Sequence, residues 1–398
     1  FKARFQLGMF DPPEMVDYAQ IPYEVNDCEE HRELALKTAR ESMVLLKNDG
    51  ILPLKKDIEK IAVIGPNSDN LEALLGNYNG TPSRFVTPLE GIKGKVSQET
   101  IVYHTEGCDI MGDSKEGFDA AVELASWADI AVVVLGITGR IEGEEGAGGD
   151  REDIGLMGVQ EDLLKAVHAT GTPVVLVLLS GSAVAINWAE ENVPAILAAW
   201  YPGQDGGIAI ADVLFGDYNP AGRLPVTFYK SLDQLPPFED YRMANRTYRY
   251  FQDEPLYPFG YGLSYTTFKY KDLRLTPGTI QAGENIQVQV TVENTGELPG
   301  DEVVQLYLTD LEASVPVPLR SLQGFERIHL TPGEEKTVSF TLTPYQMALV
   351  DYNGQRVVEP GRFLVVVGGK QPDSKGNGEV VSGEFTVQGQ KITTEFVY

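Results

Sequence analysis

Apolar residues follow two different rhythms along this chain. Between His31 and Leu46 they fall at Leu34, Ala35, Ala39, Met43, Leu45 and Leu46, a helical spacing that predicts one amphipathic helix ending before Asn48-Asp49-Gly50. Continuous apolar runs then alternate with helical stretches. Strands are predicted at Ile61–Ile64, Thr100–Tyr103, Ile130–Leu135, Val174–Leu179 and Ala195–Trp200, with helices around Leu71–Leu75, at Phe118–Ala128 and Val159–Ala169, and from Gly207 to Phe215. Strands apolar on both faces and separated by helices specify a mostly parallel sheet covered on both sides, an α/β sandwich. Beyond Tyr265 the period drops to two. Ile286–Val292, Glu302–Thr309, Lys336–Thr343 and Arg362–Val367 alternate apolar with polar and are separated by turns such as Pro277-Gly278, Asn294-Thr295-Gly296 and Pro332-Gly333. About seven short strands in this stretch make the pattern of a β-sandwich. The expected organisation is a connector over 1–30, broken by Pro12, Pro13 and Pro22, an α/β domain over 31–229, a Pro-, Tyr- and Arg-rich ordered linker over 230–262, and a β-sandwich over 263–398.

Charge narrows the partners. Lys and Arg number 32 against 58 Asp and Glu, a net charge of −26, which repels phosphate backbones and anionic lipid, so neither nucleic acid nor membrane is an expected partner. No run of eighteen apolar residues occurs. Cys28 and Cys108 form neither a metal pattern nor a disulfide framework. The chain opens on Phe1-Lys2-Ala3-Arg4-Phe5 and reads as the later part of a longer protein.

The candidate chemistry lies in Ile141–Asp153, which holds Glu142, Glu144, Glu145, Asp150, Glu152 and Asp153 together with Arg151, directly after an apolar strand. Ligands of parallel sheets meet the loops at the carboxyl ends of strands. Crowded carboxylates raise one another's pKa, and a glycine-rich backbone can carry one into a cleft as a proton donor. Glu144 is the expected donor, followed by Glu142 and then Glu145. Asp150 and Arg151 pair to structure the loop, and Glu152 and Asp153 suit the start of the next helix. The spacing does not match a calcium loop, and the histidines His31, His104, His168 and His329 are scattered, so no metal and no cofactor are expected. Asn77 and Tyr78, in Gly76-Asn77-Tyr78-Asn79-Gly80-Thr81-Pro82, are weak candidates for sugar contacts. Trp200–Gly207 lacks the spacing of a phosphate-binding loop, and Ser180 is not in a nucleophile-elbow sequence and reads as a turn residue. Asn79-Gly80-Thr81 and Asn245-Arg246-Thr247 fit the glycosylation sequon, a triplet common by chance.

Across nearly its whole length the chain resembles the later domains of glycoside hydrolase family 3, the β-glucosidases and β-xylosidases. The resemblance rests on Arg4–Pro12, Ala39–Asn48, Ile64-Gly65-Pro66, Gly149-Asp150-Arg151, Tyr201-Pro202-Gly203-Gln204, Asn219–Pro225 and Tyr257–Phe268. It implies an α/β sandwich followed by a fibronectin type III-like domain. It also implies an N-terminal (β/α)8 barrel, absent from these residues, that supplies a nucleophilic aspartate; residues 1–11 then resemble the end of its last helical segment. The family's general acid/base is a glutamate shortly before an Asp-Arg pair, a position that falls on Glu144, with Glu142 and Glu145 as alternatives. The implied activity is a retaining exo-β-glycosidase acting on a β-linked oligosaccharide or aryl glycoside. The loops Gly76–Thr81 and Ile141–Glu145 look most like the β-xylosidase-type branch, whose substrates are xylo-oligosaccharides, with β-glucosidase and α-L-arabinofuranosidase as alternatives. A non-catalytic carbohydrate-binding or scaffolding module is the reading of another class. A periplasmic or secreted location is expected over a cytoplasmic one, and a homo-oligomer stays open.

Overall fold

The computed structural model describes residues 1–142, 151–372 and 380–394. Helix α1 (Lys2–Gln6) and three single turns up to Val25 lead into α2 (Glu29–Ser42). A six-stranded sheet follows, made of β1 (Val44–Asn48), β2 (Lys60–Ile64), β3 (Ile101–Thr105), β4 (Ile130–Gly136), β5 (Val174–Leu179) and β6 (Ala195–Ala198), in the spatial order β1-β6-β5-β4-β2-β3. Five strands are parallel, and β1 runs antiparallel to β6 along one edge, with Val44 opposite Ala198. The helices between them are α3 (Pro88–Lys95), α4 (Phe118–Trp127), α5 (Gly139–Glu142), α6 (Gln160–His168), α7 (Asn187–Asn192) and α8 (Gly206–Leu214).

Alternate side chains of the central strands point to opposite faces. Ala131, Val133, Leu135, Leu176 and Leu178 therefore join one buried cluster with Ala121 and Ala125 of α4 and Leu163, Leu164 and Val167 of α6. Val132, Val134, Val175, Val177 and Leu179 join another with Leu89 and Ile92 of α3 and Ala209, Ile210, Val213 and Leu214 of α8. Two-sided burial is why these runs lack polar alternation. Helices α3 and α8 approach backbone to backbone: a Cβ on Gly91 would collide with the carbonyl of Gly207, and one on Gly207 with that of Thr87.

The expected helix over His31–Leu46 is corrected. It stops at Ser42, Met43 takes an extended ψ of 129°, and Val44–Asn48 becomes β1. Val44, Leu45 and Leu46 are consecutive apolar residues, and only a strand between two helical layers buries all three. Around Leu71–Leu75 there is a single 3-10 turn, Glu72–Leu74. Helix α3 was not anticipated from apolar spacing, but its start is written in Thr87-Pro88-Leu89-Glu90, a capping box with proline at the first helical position.

Residues 219–265 fold back over the α/β unit. Leu224 exchanges backbone hydrogen bonds with Gly260 and Tyr261, Phe228 pairs with Tyr257, and Leu263 bonds to Leu45. Helix α9 (Thr247–Tyr250) lies within this stretch.

The C-terminal part is a sandwich of β7 (Phe268–Thr276), β8 (Thr279–Gln281), β9 (Ile286–Asn294), β10 (Gly300–Asp310), β11 (Ser321–Leu330), β12 (Glu335–Leu342), β13 (Leu349–Val350), β14 (Arg356–Val358), β15 (Gly361–Gly368), β16 (Val380–Gln388) and β17 (Ile392–Thr393). The sheets β11-β10-β15-β16-β8 and β12-β9-β7 enclose a core that includes Val288, Val290, Val292, Leu306, Val365 and Phe385, and β13-β14-β17 forms a small ribbon. Seven of these strands have eight or more residues, and four of them, β9, β10, β12 and β15, cover the expected period-two runs. The four remaining strands have two or three residues, too few to show a period. The two folded parts are joined by a buried ion pair: Arg223 Nη2 donates to Glu302 Oε2 at 2.9 Å, and Tyr270 donates its hydroxyl to Glu302 Oε1 at 2.7 Å.

Candidate active site

Because β2, β4, β5 and β6 are parallel, their carboxyl ends open on one edge of the sheet, where α/β folds place their ligands. That edge carries Gly65–Ser68 after β2, Thr138 and α5 after β4, Ser180-Gly181-Ser182 after β5, and Trp200–Asp205 after β6. The short helix α5 begins at a buried Thr138, whose carbonyl accepts from the backbone N–H groups of Ile141 and Glu142 at 2.9 and 3.2 Å.

Its last residue, Glu142, turns back toward β5. Ser182 donates its hydroxyl to Glu142 Oε1, and Arg151 Nη2 donates to Ser182 Oγ at 3.1 Å and to the carbonyl of Ala183 at 2.8 Å. One serine thus holds both ends of the segment that contains residues 143–150. The close fit depends on Gly181, where a Cβ would collide with Glu142 Oε2 and lie 2.7 Å from Cε2 of Tyr201. Burial pushes the Tyr201 hydroxyl well above its ordinary range, and the negative Glu142 adds to the effect, so Tyr201 stays a proton-bearing neighbour of the carboxylate. Arg151 Nη1 is buried and finds no hydrogen-bond partner among the described residues.

Of the expected site residues, Glu142 and Arg151 meet at Ser182. Glu144, Glu145 and Asp150 lie outside the described residues. Asn77 stands at the base of α5, since a Cβ on Gly139 would come within 2.6 Å of Asn77 Oδ1, and a cavity of about 160 Å³ there is lined by Asn77, Asn79, Thr138 and Arg140 among others. Arg140 pairs with Glu72 at 3.1 Å across its mouth. Tyr78 has a left-handed φ of 58° and is 79% exposed. Ser180 is a turn residue, donating to the carbonyl of Ser182 at 2.9 Å. Sequence reasoning missed Ser182 and Tyr201; their signal was position, each three residues past the end of a buried parallel strand. Among the described residues no three His, Cys, Asp or Glu side chains are grouped to hold a metal ion.

Residues 43–265 match the sequence model of the glycosyl hydrolase family 3 C-terminal domain, and residues 302–371 that of the fibronectin type III-like domain. A β-xylosidase of Formosa agariphila is 43% identical over 380 residues, covering 92% of this chain and 52% of the relative. A periplasmic β-glucosidase of Salmonella typhimurium is 37% identical over 92% of this chain and 52% of its own length. Among solved structures, an exo-β-xylosidase in complex with a xylobiose aziridine probe superposes with a TM-score of 0.86 at 30% identity, over 98% of this chain and 52% of that one. The chain spans about half the length of the curated relatives it matches.

Proposed function

The chain belongs to glycosyl hydrolase family 3, and on that premise we propose that it supplies the general acid/base of a retaining exo-β-glycosidase acting on β-xylosides, with the nucleophilic aspartate coming from a (β/α)8 barrel outside these residues. The observation that carries this reading is the double tether at Ser182. The acidic segment leaves and rejoins the sheet at one point on the ligand-binding edge, and Glu142, already bonded to Ser182, serves as the outgoing tether. Glu144, the position on which the family resemblance falls, is the proposed proton donor, with Glu145 as the alternative. It protonates the departing oxygen, then deprotonates the water that resolves the glycosyl-enzyme, and retention requires it to sit about 5 Å from the barrel's aspartate. The xylosidase reading is supported by the relative of highest identity among those described above, and a β-glucosidase is the alternative that the Salmonella relative supports.

The test is made in the complete enzyme. Glu144→Ala should lower turnover of xylobiose by about a hundredfold or more, with less effect on aryl xylosides whose leaving groups need no proton, and azide should restore part of the latter activity. Ser182→Ala should lower xylobiose turnover more than aryl xyloside turnover, in the same direction as Glu144→Ala but more weakly, because it releases the loop without removing the acid. Full activity of Glu144→Ala on xylobiose would end the assignment.

A further inference from the structure

Strand β2 ends at Ile64, opposite Val133, while β4 continues to Gly136. On one side Gly136 lies opposite Leu179 of β5; on the other, among the described residues, no strand reaches it. A buried backbone N–H and C=O left in that position each cost about as much as a lost hydrogen bond. The site also admits no side chain of its own. Gly136 has a φ of 137°, and a Cβ there would lie 1.9 Å from the carbonyl oxygen of Leu179.

Gln160 takes the place of the missing strand. Its side chain, fully buried, accepts from the N–H of Gly136 at 2.9 Å and donates to the carbonyl of the same residue at 2.8 Å. A side-chain amide offers the donor and acceptor of a peptide, so the pair of bonds copies what a neighbouring strand would make. Nε2 donates as well to the carbonyl of Ile110 at 2.9 Å, so both of its hydrogens are engaged.

Filling a gap in the sheet would by itself serve only the fold. The places of the two residues in the chain give the contact a second role. Gly136 is the last residue of β4 and Gln160 the first of α6, so one buried amide joins the two ends of the excursion that carries Glu142 and Arg151. Both stems of that excursion are braced against the sheet. Ile137 donates its N–H to the carbonyl of Leu179 at 2.9 Å on the way out, and on the way back the carbonyl of Ile154 accepts from Ala185 at 2.7 Å. Ser182 engages the excursion farther along, through Glu142 and Arg151. Between Gly136 and Glu142 stand only Ile137, Thr138 and the first residues of α5, so a displacement at the root passes directly to Glu142 and the acidic segment that follows it.

We infer that Gln160 is a positioning residue for the proton transfer: by standing in for a strand at Gly136 it fixes the root of the acidic loop, and with it the place from which the loop's carboxylate reaches the departing oxygen. The reaction it serves rests on the glycosidase reading above; the inference does not depend on which glutamate of the loop is the donor.

The test uses the complete enzyme and two variants. Gln160→Met keeps the length of the side chain without its hydrogen bonds, and Gln160→Glu keeps its shape and the bond from the Gly136 N–H. kcat/KM is measured for xylobiose, whose leaving group needs a proton, and for an aryl xyloside whose leaving group needs none. Since a misplacement of about 1 Å costs on the order of a hundredfold, both variants should lose about tenfold or more on xylobiose and far less on the aryl xyloside. Partial unfolding cannot imitate this, because a smaller folded fraction lowers both values by the same factor. In a Glu144→Ala background, Gln160→Glu should add little further loss on xylobiose, since no acid remains to be placed, whereas an independent structural effect would multiply the two losses. Equal losses on the two substrates, unchanged turnover of xylobiose, losses that multiply with an impaired Glu144→Ala, or variants that do not fold would each overturn the inference. If Glu144→Ala behaves as proposed and the substrate ratio of the Gln160 variants does not move, the positioning role fails and the glycosidase reading stands. If the ratio moves while Glu144→Ala is fully active, Gln160 positions another carboxylate and only the donor assignment fails.

Discussion

The ion pair between Arg223 and Glu302 offers the sharpest test of how the two folded parts are held together. Their side chains are only 9% and 4% exposed. Arg223 engages all three of its nitrogens locally: Nη2 on Glu302, Nε on the carbonyl of Gly369 at 3.2 Å, and Nη1 on the carbonyls of Ala221 and Gly222 at 3.0 and 3.1 Å. Burial pushes the Glu302 carboxyl above its ordinary range, against the pull of Arg223 and the Tyr270 hydroxyl. Removing one member of such a pair costs about 3–5 kcal/mol. Glu302→Leu should fall at the low end, because Arg223 keeps three carbonyl acceptors. Arg223→Met should fall at or above the high end, because it strips those carbonyls of a donor, at about 1 kcal/mol each, and leaves a buried carboxylate. The two variants should also differ in pH dependence. Without Arg223, only the Tyr270 hydroxyl still opposes burial at Glu302, so its folded-state pKa rises further above the ordinary 4.5. A carboxyl with a raised folded-state pKa binds more protons folded than unfolded, so the loss in Arg223→Met should be largest near pH 7 and shrink as pH falls toward 4.5. The loss in Glu302→Leu should run the other way, largest near pH 4.5 and shrinking as pH rises, because the variant lacks a carboxyl whose raised folded-state pKa favours the parent most on the acid side. Urea unfolding of both variants and the parent between pH 4.5 and 7.5 measures this. A loss under about 1 kcal/mol in Arg223→Met at pH 7, or a pH-independent one, would refute the reasoning.

Three further outcomes are expected. Gly207→Ala should destabilise the chain by at least about 2 kcal/mol in chemical unfolding, since its new methyl meets the backbone of Thr87, which cannot rotate away. Burial, with Asp109 and Glu106 nearby, pushes the Cys108 thiol up to about 11, so at pH 8 roughly one such thiol in a thousand is ionised; titration with a disulfide reagent should stop near one thiol, the half-buried Cys28, until denaturant is added. The ion pair between Asp27 and Arg32 should contribute to stability in full above the ordinary carboxyl value of 3.8 and lose that contribution as pH falls below it, because the folded-state pKa of Asp27 is depressed; the difference in melting temperature between the parent and Asp27→Asn should therefore close on the acid side, and a difference that persists would show that charge plays no part.

The elements most legible in the sequence were those whose environment is uniform along their length. β4 and β5 are buried at every position, and β9 alternates buried with more exposed positions, so burial wrote their periods directly. β1 was misread because Ala39, Met43 and Leu46 keep helical spacing across the point where the helix ends, and the partner that makes Val44–Asn48 a strand, β6, lies about 150 residues away. No local signal carries that pairing. The acidic loop stood out by composition, but composition does not reveal which carboxylate is engaged. That depends on Ser182, forty residues from Glu142 and brought near it by the β4–β5 register, in which Gly136 lies opposite Leu179.

The antiparallel edge strand has a consequence for how this chain reaches its native state. On one side β1 pairs with β6, and on the other Leu45 receives the N–H of Leu263 at 2.8 Å, while Tyr261 donates its hydroxyl to the carbonyl of Leu46 and Gly222 its N–H to that of Met43. The strand that comes first in sequence is therefore closed off by residues synthesised about 180 to 220 positions later. Contacts of such long sequence separation form slowly, and an uncovered strand edge recruits other chains while it waits. A ribosome that has released only the α/β sheet holds an adhesive margin, and a polypeptide cut near residue 230 would keep it permanently, so its solubility should fall although every strand of the sheet is present.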